Sequence, residues 1–181
     1  MTVTSMANTS SIKSGVVAGK ILQVVSTTKT DTYAISGLAS GAISSAVVTG
    51  LTAAITPVAT NSKVLIRVSV HIASADGNVD GFGGFVFRRD STAIGVPDTA
   101  GSRPAVSAQG GSFGNNGADM VLMTHEFEDS PSSTSEIVYG ISLHNPSAST
   151  SGAFVNRSQT DVDSSRFART ISTITVMEVA G

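Results

Sequence analysis

The residues best suited to chemistry in this chain form one short run, Asp76-Gly77-Asn78-Val79-Asp80-Gly81. Oxygen-bearing side chains at alternate positions, followed by glycine, are how a loop curls around a hard cation such as calcium. Asp76, Asn78 and Asp80 are therefore the candidate metal ligands. The run matches only the first half of an EF-hand loop, because Phe87 stands where the bidentate glutamate belongs and no flanking helices are expected. A β-turn between a strand ending near Ala73 and one starting near Phe82 accounts for the same residues through the turn preferences of Asp-Gly and Asn. That plainer reading is preferred, and no cofactor is expected.

Other chemistry is weaker still. Gly110-Gly111-Ser112-Phe113-Gly114 has the letters of a hydrolase nucleophile elbow, but the elbow needs a strand before Ser112 and a helix after it, and this stretch reads as a Gly-rich loop. His125, Glu126, Glu128 and Asp129 cluster in sequence. On a strand, however, His125 shares a face with Val121, Met123 and Phe127, opposite Glu126 and Glu128, so these groups do not converge on one metal ion. His71 and His144 are isolated. A saccharide site usually offers a flat aromatic platform, and the chain has no Trp and only Tyr33 and Tyr139. Arg88, Arg89, Arg103, Arg157, Arg166 and Arg169 carry over half of the basic charge, and ion pairs between subunits are one use for them. No catalytic residue is assigned, and the chain is expected not to be an enzyme.

Composition narrows the partners. Charged residues are 13% of the 181 positions, about half the usual share, while Ser and Thr supply roughly a quarter. Hydrophobic residues reach 40%, enough apolar surface to offset the entropy of ordering the chain. A net charge of −2 gives no general attraction for nucleic acid or anionic membrane. Without cysteine, stability must come from packing or assembly. The N-terminal residues lack the basic flank and apolar core of a secretory signal, and the most apolar window, Ala46 to Ala59, is too short and interrupted to span a bilayer.

The elements that must position these residues are strands. Residues 1–18 are small and polar and read as an extended arm; 19–181 read as one domain. Period-two alternation is clearest from Lys63 to Ala73, where Val64, Ile66, Val68, Val70 and Ile72 share a face. Leu51, Ala53 and Ile55 share another, as do Ile137, Tyr139, Ile141 and Leu143. Further strands are expected at Lys20 to Ser26, Thr32 to Leu38, Phe82 to Arg89, Met120 to Glu128 and Thr170 to Val179. About eight strands and no capped amphipathic helix predict an all-β, antiparallel, jelly-roll-like β-sandwich. The interval from Pro97 to Gly117 reads as one long contact loop.

Five stretches resemble a recurrent domain family of marine and cyanobacterial tailed phages, found in fibre-like and other virion structural proteins. They are GKILQVVSTTKTDTYAISG (Gly19 to Gly37), TGLTAAITPVATNSKVLIRVSV (Thr49 to Val70), RRDSTAIGVPDTAGSR (Arg88 to Arg103), FEDSPSSTSEIVYGISL (Phe127 to Leu143) and STITVMEV (Ser172 to Val179). The chain departs from the family pattern between Gly37 and Val48, where small flexible residues replace an aromatic strand residue. The resemblance implies a protein of the virion exterior, made in the host cytoplasm and assembled as a homotrimer. It would be a short fibre or spike tip, contacting other capsid or tail proteins and possessing a potential host-surface glycan partner. The alternative is a capsid decoration or cement protein, and a further one is a sugar-binding jelly-roll module. No site residue is carried over from the family.

Overall fold

The computed structural model describes residues 19–74, 81–113, 117–145 and 150–181. The arm 1–18 and the calcium candidates Asp76, Asn78 and Asp80 lie outside the described residues. No helix occurs among those described. The strands are β1 (Ile21–Lys29), β2 (Tyr33–Leu38), β3 (Ala53–Ile55), β4 (Lys63–Ser74), β5 (Gly81–Arg89), β6 (Thr92–Ile94), β7 (Ala108–Phe113), β8 (Val121–Asp129), β9 (Ile137–His144), β10 (Ser151–Val155) and β11 (Ser172–Val179).

Two antiparallel sheets pack as a sandwich. The larger is organised around β4, whose one edge takes β8 through the pairs Val64↔Asp129 to Ile72↔Val121. Its other edge is shared: β11 covers Lys63 to Ser69 and β10 covers Ile72 to Ser74. The next row is split in the same way, with β1 on β11 and β2 on β10. The smaller sheet runs β3-β9-β5-β6, with β7 also pairing β5.

Alternation produces the core between them. Val64, Ile66, Val68, Val70 and Ile72 are all buried, each contributing roughly 1.5–3 kcal/mol relative to exposure. They face Phe85 and Phe87 of β5, Ile137, Tyr139 and Ile141 of β9, and Leu51 before β3 in one apolar cluster. Phe85 and Phe87 meet edge to face at 5.4 Å, the preferred aromatic arrangement. Behind Phe87, the Phe127 ring lies over Gly95, where an added Cβ would come within 2.9 Å of it and where φ is +58°. Only glycine suits both demands at that position.

All eight expected strands are present, and three more were not anticipated. β6 follows β5 through the Asp90-Ser91 turn and is too short to show a period. β7 falls inside the interval from Pro97 to Gly117, so that interval is not one long loop. Its sequence, AQGGSF, carries no β-branched residue; it is a strand because it pairs with the Gly-rich start of β5, glycine opposite glycine at Gly83↔Gly110. β10, SGAFV, gains its strand character by filling the end of the β4 edge. β4 and β5 belong to different sheets and do not pair with one another, and the residues of the expected turn between them lie outside the described residues. The irregular stretch from Gly37 to Val48 runs along β9, donating Ser44 N–H to Leu143 O and Val48 N–H to Ile141 O.

A polar clamp joins the sheets at one end. Asp129 of β8 accepts a 2.7 Å hydrogen bond from the Tyr139 hydroxyl of β9 and two of 3.1 Å from the Arg89 guanidinium of β5. Burial first, and the Asp129 carboxylate second, push the Tyr139 hydroxyl far above its ordinary range. A raised folded-state value means its stabilisation is intact below the unfolded value near 10 and lost above it. Tyr139→Phe is expected to cost about 1–3 kcal/mol in urea unfolding at neutral pH and to flatten the loss of stability above pH ~10.

Candidate functional site

The most constructed polar region lies where the two split rows break. After Val155 the chain leaves the β4 edge, and it returns at Ser172, next in line along the same edge. Residues 156–171 thus form an excursion with closely spaced ends, tied by Thr170 N–H to Asn156 O at 3.3 Å. Such loops, closed at the base and packed on themselves, are frequent carriers of function.

Asn156 makes the break tolerable. It is fully buried with φ +62°, a left-handed conformation that asparagine accepts better than most residues. Its N–H donates to His71 O, and its side-chain amide donates at 2.9 Å to both Lys29 O and Asp31 O, bridging the gap between β1 and β2. Its Oδ1 accepts from the Ser172 hydroxyl at 2.6 Å, and that hydroxyl accepts from His71 N–H at 3.1 Å. One asparagine and one serine therefore satisfy ladder groups that the interrupted strands leave open, as buried backbone requires.

Above this base, ion pairs shape the loop. Asp161 receives the Arg157 guanidinium at 3.2 Å and also pairs with Arg169. Arg157 stacks over the Phe154 ring at 4.2 Å. The same loop carries a surface cavity of about 370 Å³ lined by Asp161, Val162, Asp163, Ser164, Phe167 and Arg169. Phe167 is half-buried there, and its N–H donates to Ser164 O at 3.0 Å.

The residues singled out by sequence lie elsewhere. Ser112 is in strand β7, not at a strand-to-helix turn, and the elbow geometry is absent. His125 stacks on Phe87 at 5.8 Å while Glu126 pairs with Arg67 at 3.3 Å on the opposite face, the separation expected from alternation. Among the described residues, no three His, Asp or Glu side chains come together as metal ligands. The arginines are committed within the chain: Arg88 to Ser142, Ser91 and Ser44, Arg89 to Asp129, and Arg157 and Arg169 to Asp161. Four of the six thus have partners within the chain.

No known family model and no curated protein matches the chain.

The cavity is hidden from the sequence because its aromatic is a phenylalanine, Phe167, and not a Trp or Tyr. The signal available was the alternation of Asp161, Asp163, Arg166 and Arg169 around Phe167, but nothing in the local pattern shows that the segment folds back on its own base.

Two buried titratable groups sit apart from this loop. Burial pushes the His144 pKa below its ordinary value against a smaller upward pull from the Gly41 backbone, and neither ring nitrogen reaches a hydrogen-bond partner among the described residues. Burial would push the Glu178 carboxyl up, but hydrogen bonds from the Gln23 amide at 2.6 Å and Val58 N–H at 2.8 Å outweigh it and hold the group low. The Ser62 hydroxyl adds to that lowering without reaching bonding geometry of its own. Both folded-state values are depressed, so at acid pH the unfolded chain binds more protons and stability falls. Urea unfolding is expected to lose stability first below the ordinary histidine value of 6.5, then below the glutamate value of 4.5. His144→Leu should remove the upper stage and Glu178→Gln the lower. Separately, Asn156→Ala is expected to destabilise the fold by about 2–4 kcal/mol, since several buried partners lose their bonds at once.

Proposed function

We propose that this chain is a structural protein of the exterior of a tailed-phage particle, assembled as a homotrimer through the outward face of its larger sheet. The observation that supports assembly is a stripe on that face. Register sets Leu65 of β4 beside Met177 of β11 and Met177 beside Val24 of β1, and one ladder step further Val179 is beside Ile21. Val24 and Ile21 are 56% and 53% exposed. A contiguous apolar stripe across three hydrogen-bonded strands is an interaction surface more readily than scattered exposed residues are.

Charges of both signs border the stripe, Lys63 and Arg67 from β4 and Glu126 and Glu128 from β8. A second copy of the same chain can approach such a border without net repulsion. Three copies with their stripes turned toward a common axis would remove the exposed apolar surface from water, at about 25 cal/mol per Å².

The virion placement rests on the resemblance, whose stretches coincide with the sandwich frame: β1 and β2, β3 and β4, the end of β5 with β6, the end of β8 with β9, and β11. Residues 156–171 fall between the last two stretches. In this reading the frame supplies assembly, and the role is that of a short fibre or spike tip with potential adhesion to a host surface.

Light scattering on the purified chain at micromolar concentration is expected to give three times the 18.3 kDa protomer mass. Val24→Glu should convert it to monomer with little change in the protomer's fold. A wild-type monomer or dimer overturns the trimer. Mapping copies in a phage particle tests the placement: density at the tail agrees with it, and density at capsid three-folds replaces the fibre role by decoration.

A further inference from the structure

We infer that the cavity within residues 156–171 is a binding site for a neutral saccharide, engaging one pyranose ring. The inference is independent of where the protein sits and of how many copies assemble.

The cavity of about 370 Å³ lies at the small end of the range for small-molecule sites, roughly 300–1,000 Å³. A pyranose has two chemical aspects, patches of axial C–H groups and a rim of hydroxyls that each donate and accept. The lining matches both. Phe167 and Val162 supply the apolar surface, and the Arg166 guanidinium at 5.8 Å from the Phe167 ring centroid helps orient that ring. Asp161 and Asp163 accept, Arg169 donates, and the Ser164 hydroxyl does either. Hydrogen bonds to charged groups are the stronger kind and give orientation as well as affinity.

Charge separates this ligand from its competitors. Asp161 already holds two guanidinium groups, so it has little electrostatic need for a metal cation. An anion would meet the carboxylates of Asp161 and Asp163 at the wall. A neutral ligand rich in hydroxyls bears neither cost.

The loop is also held in place before any ligand arrives. Asn156 and Ser172 lock its base through buried hydrogen bonds, and the Arg157–Asp161–Arg169 pairs brace its upper part. Affinity lost to ordering a loop is correspondingly small. The side chain of Val162, 54% exposed, leaves apolar surface of the lining open to a ligand.

The test is an NMR titration of the isotope-labelled full chain with methyl β-D-glucopyranoside, methyl β-D-galactopyranoside and N-acetyl-D-glucosamine into the millimolar range, with calcium chloride and sodium phosphate as parallel probes. At least one saccharide is expected to give saturable shifts centred on the amides of residues 161–169. Asp163→Asn, at an exposed position, should weaken that binding by about tenfold or more with an unchanged unfolding midpoint. Phe167→Leu, which keeps an apolar side chain but removes the ring, should do likewise. No response to any of the three saccharides, shifts centred elsewhere, a response to calcium or phosphate in their place, or unaltered affinity in both variants overturns the inference. The mass measurement decides the trimer separately, so either reading can fail alone.

Discussion

The backbone N–H and C=O groups along β4 point alternately to its two edges, so both edges must be covered, and this single requirement organises the larger sheet. On one side β8 meets it with an uninterrupted ladder. On the other side no single strand does so; β11 and β10 divide the edge between them, and β1 and β2 divide the row beyond. Two strands placed end to end leave a seam with unpaired N–H and C=O groups inside the protein, where each would cost free energy comparable to a lost hydrogen bond. Asn156 and Ser172 fill that seam. The loop, its ion pairs and its cavity exist because the seam can be closed by side chains while the main chain travels elsewhere.

Much of the frame was legible in the sequence because it depends on alternation. Val64 to Ile72 and Ile137 to Leu143 carry a period of two that marks a strand, and both are core strands in the structure, although β9 is buried on both faces from Tyr139 onward and not on one alone. What was illegible depends on partners remote in sequence. AQGGSF becomes β7 because β5 presents glycines opposite it, and SGAFV becomes β10 because the end of β4 needs covering; the first has no β-branched residue and the second is too short to show a period.

The site was legible in its ingredients and not in its assembly. Asp161, Asp163, Phe167 and Arg169 are plain in the sequence, yet their convergence is produced by closure of the loop base, which requires a buried asparagine with positive φ, a serine, and a histidine main chain some eighty-five residues upstream of that asparagine. The charged residues show a matching economy. With so few of them, Asp129, Arg89 and Glu178 stand at the ends of the sandwich with hydrogen bonds to fixed partners, while the centre between the sheets is apolar.

The seam has a consequence for how such a protein can change. An insertion into an ordinary strand shifts its register and turns every following side chain to the wrong face. Here the chain leaves the sheet at residue 156 and re-enters at 172 with the ladder resuming where it stopped, so length between those points is uncoupled from register. Residues can be added, removed or exchanged there without disturbing the frame, provided the asparagine and serine at the base are kept. The fold therefore contains a natural grafting port, at which one scaffold could acquire different recognition loops while remaining the same sandwich.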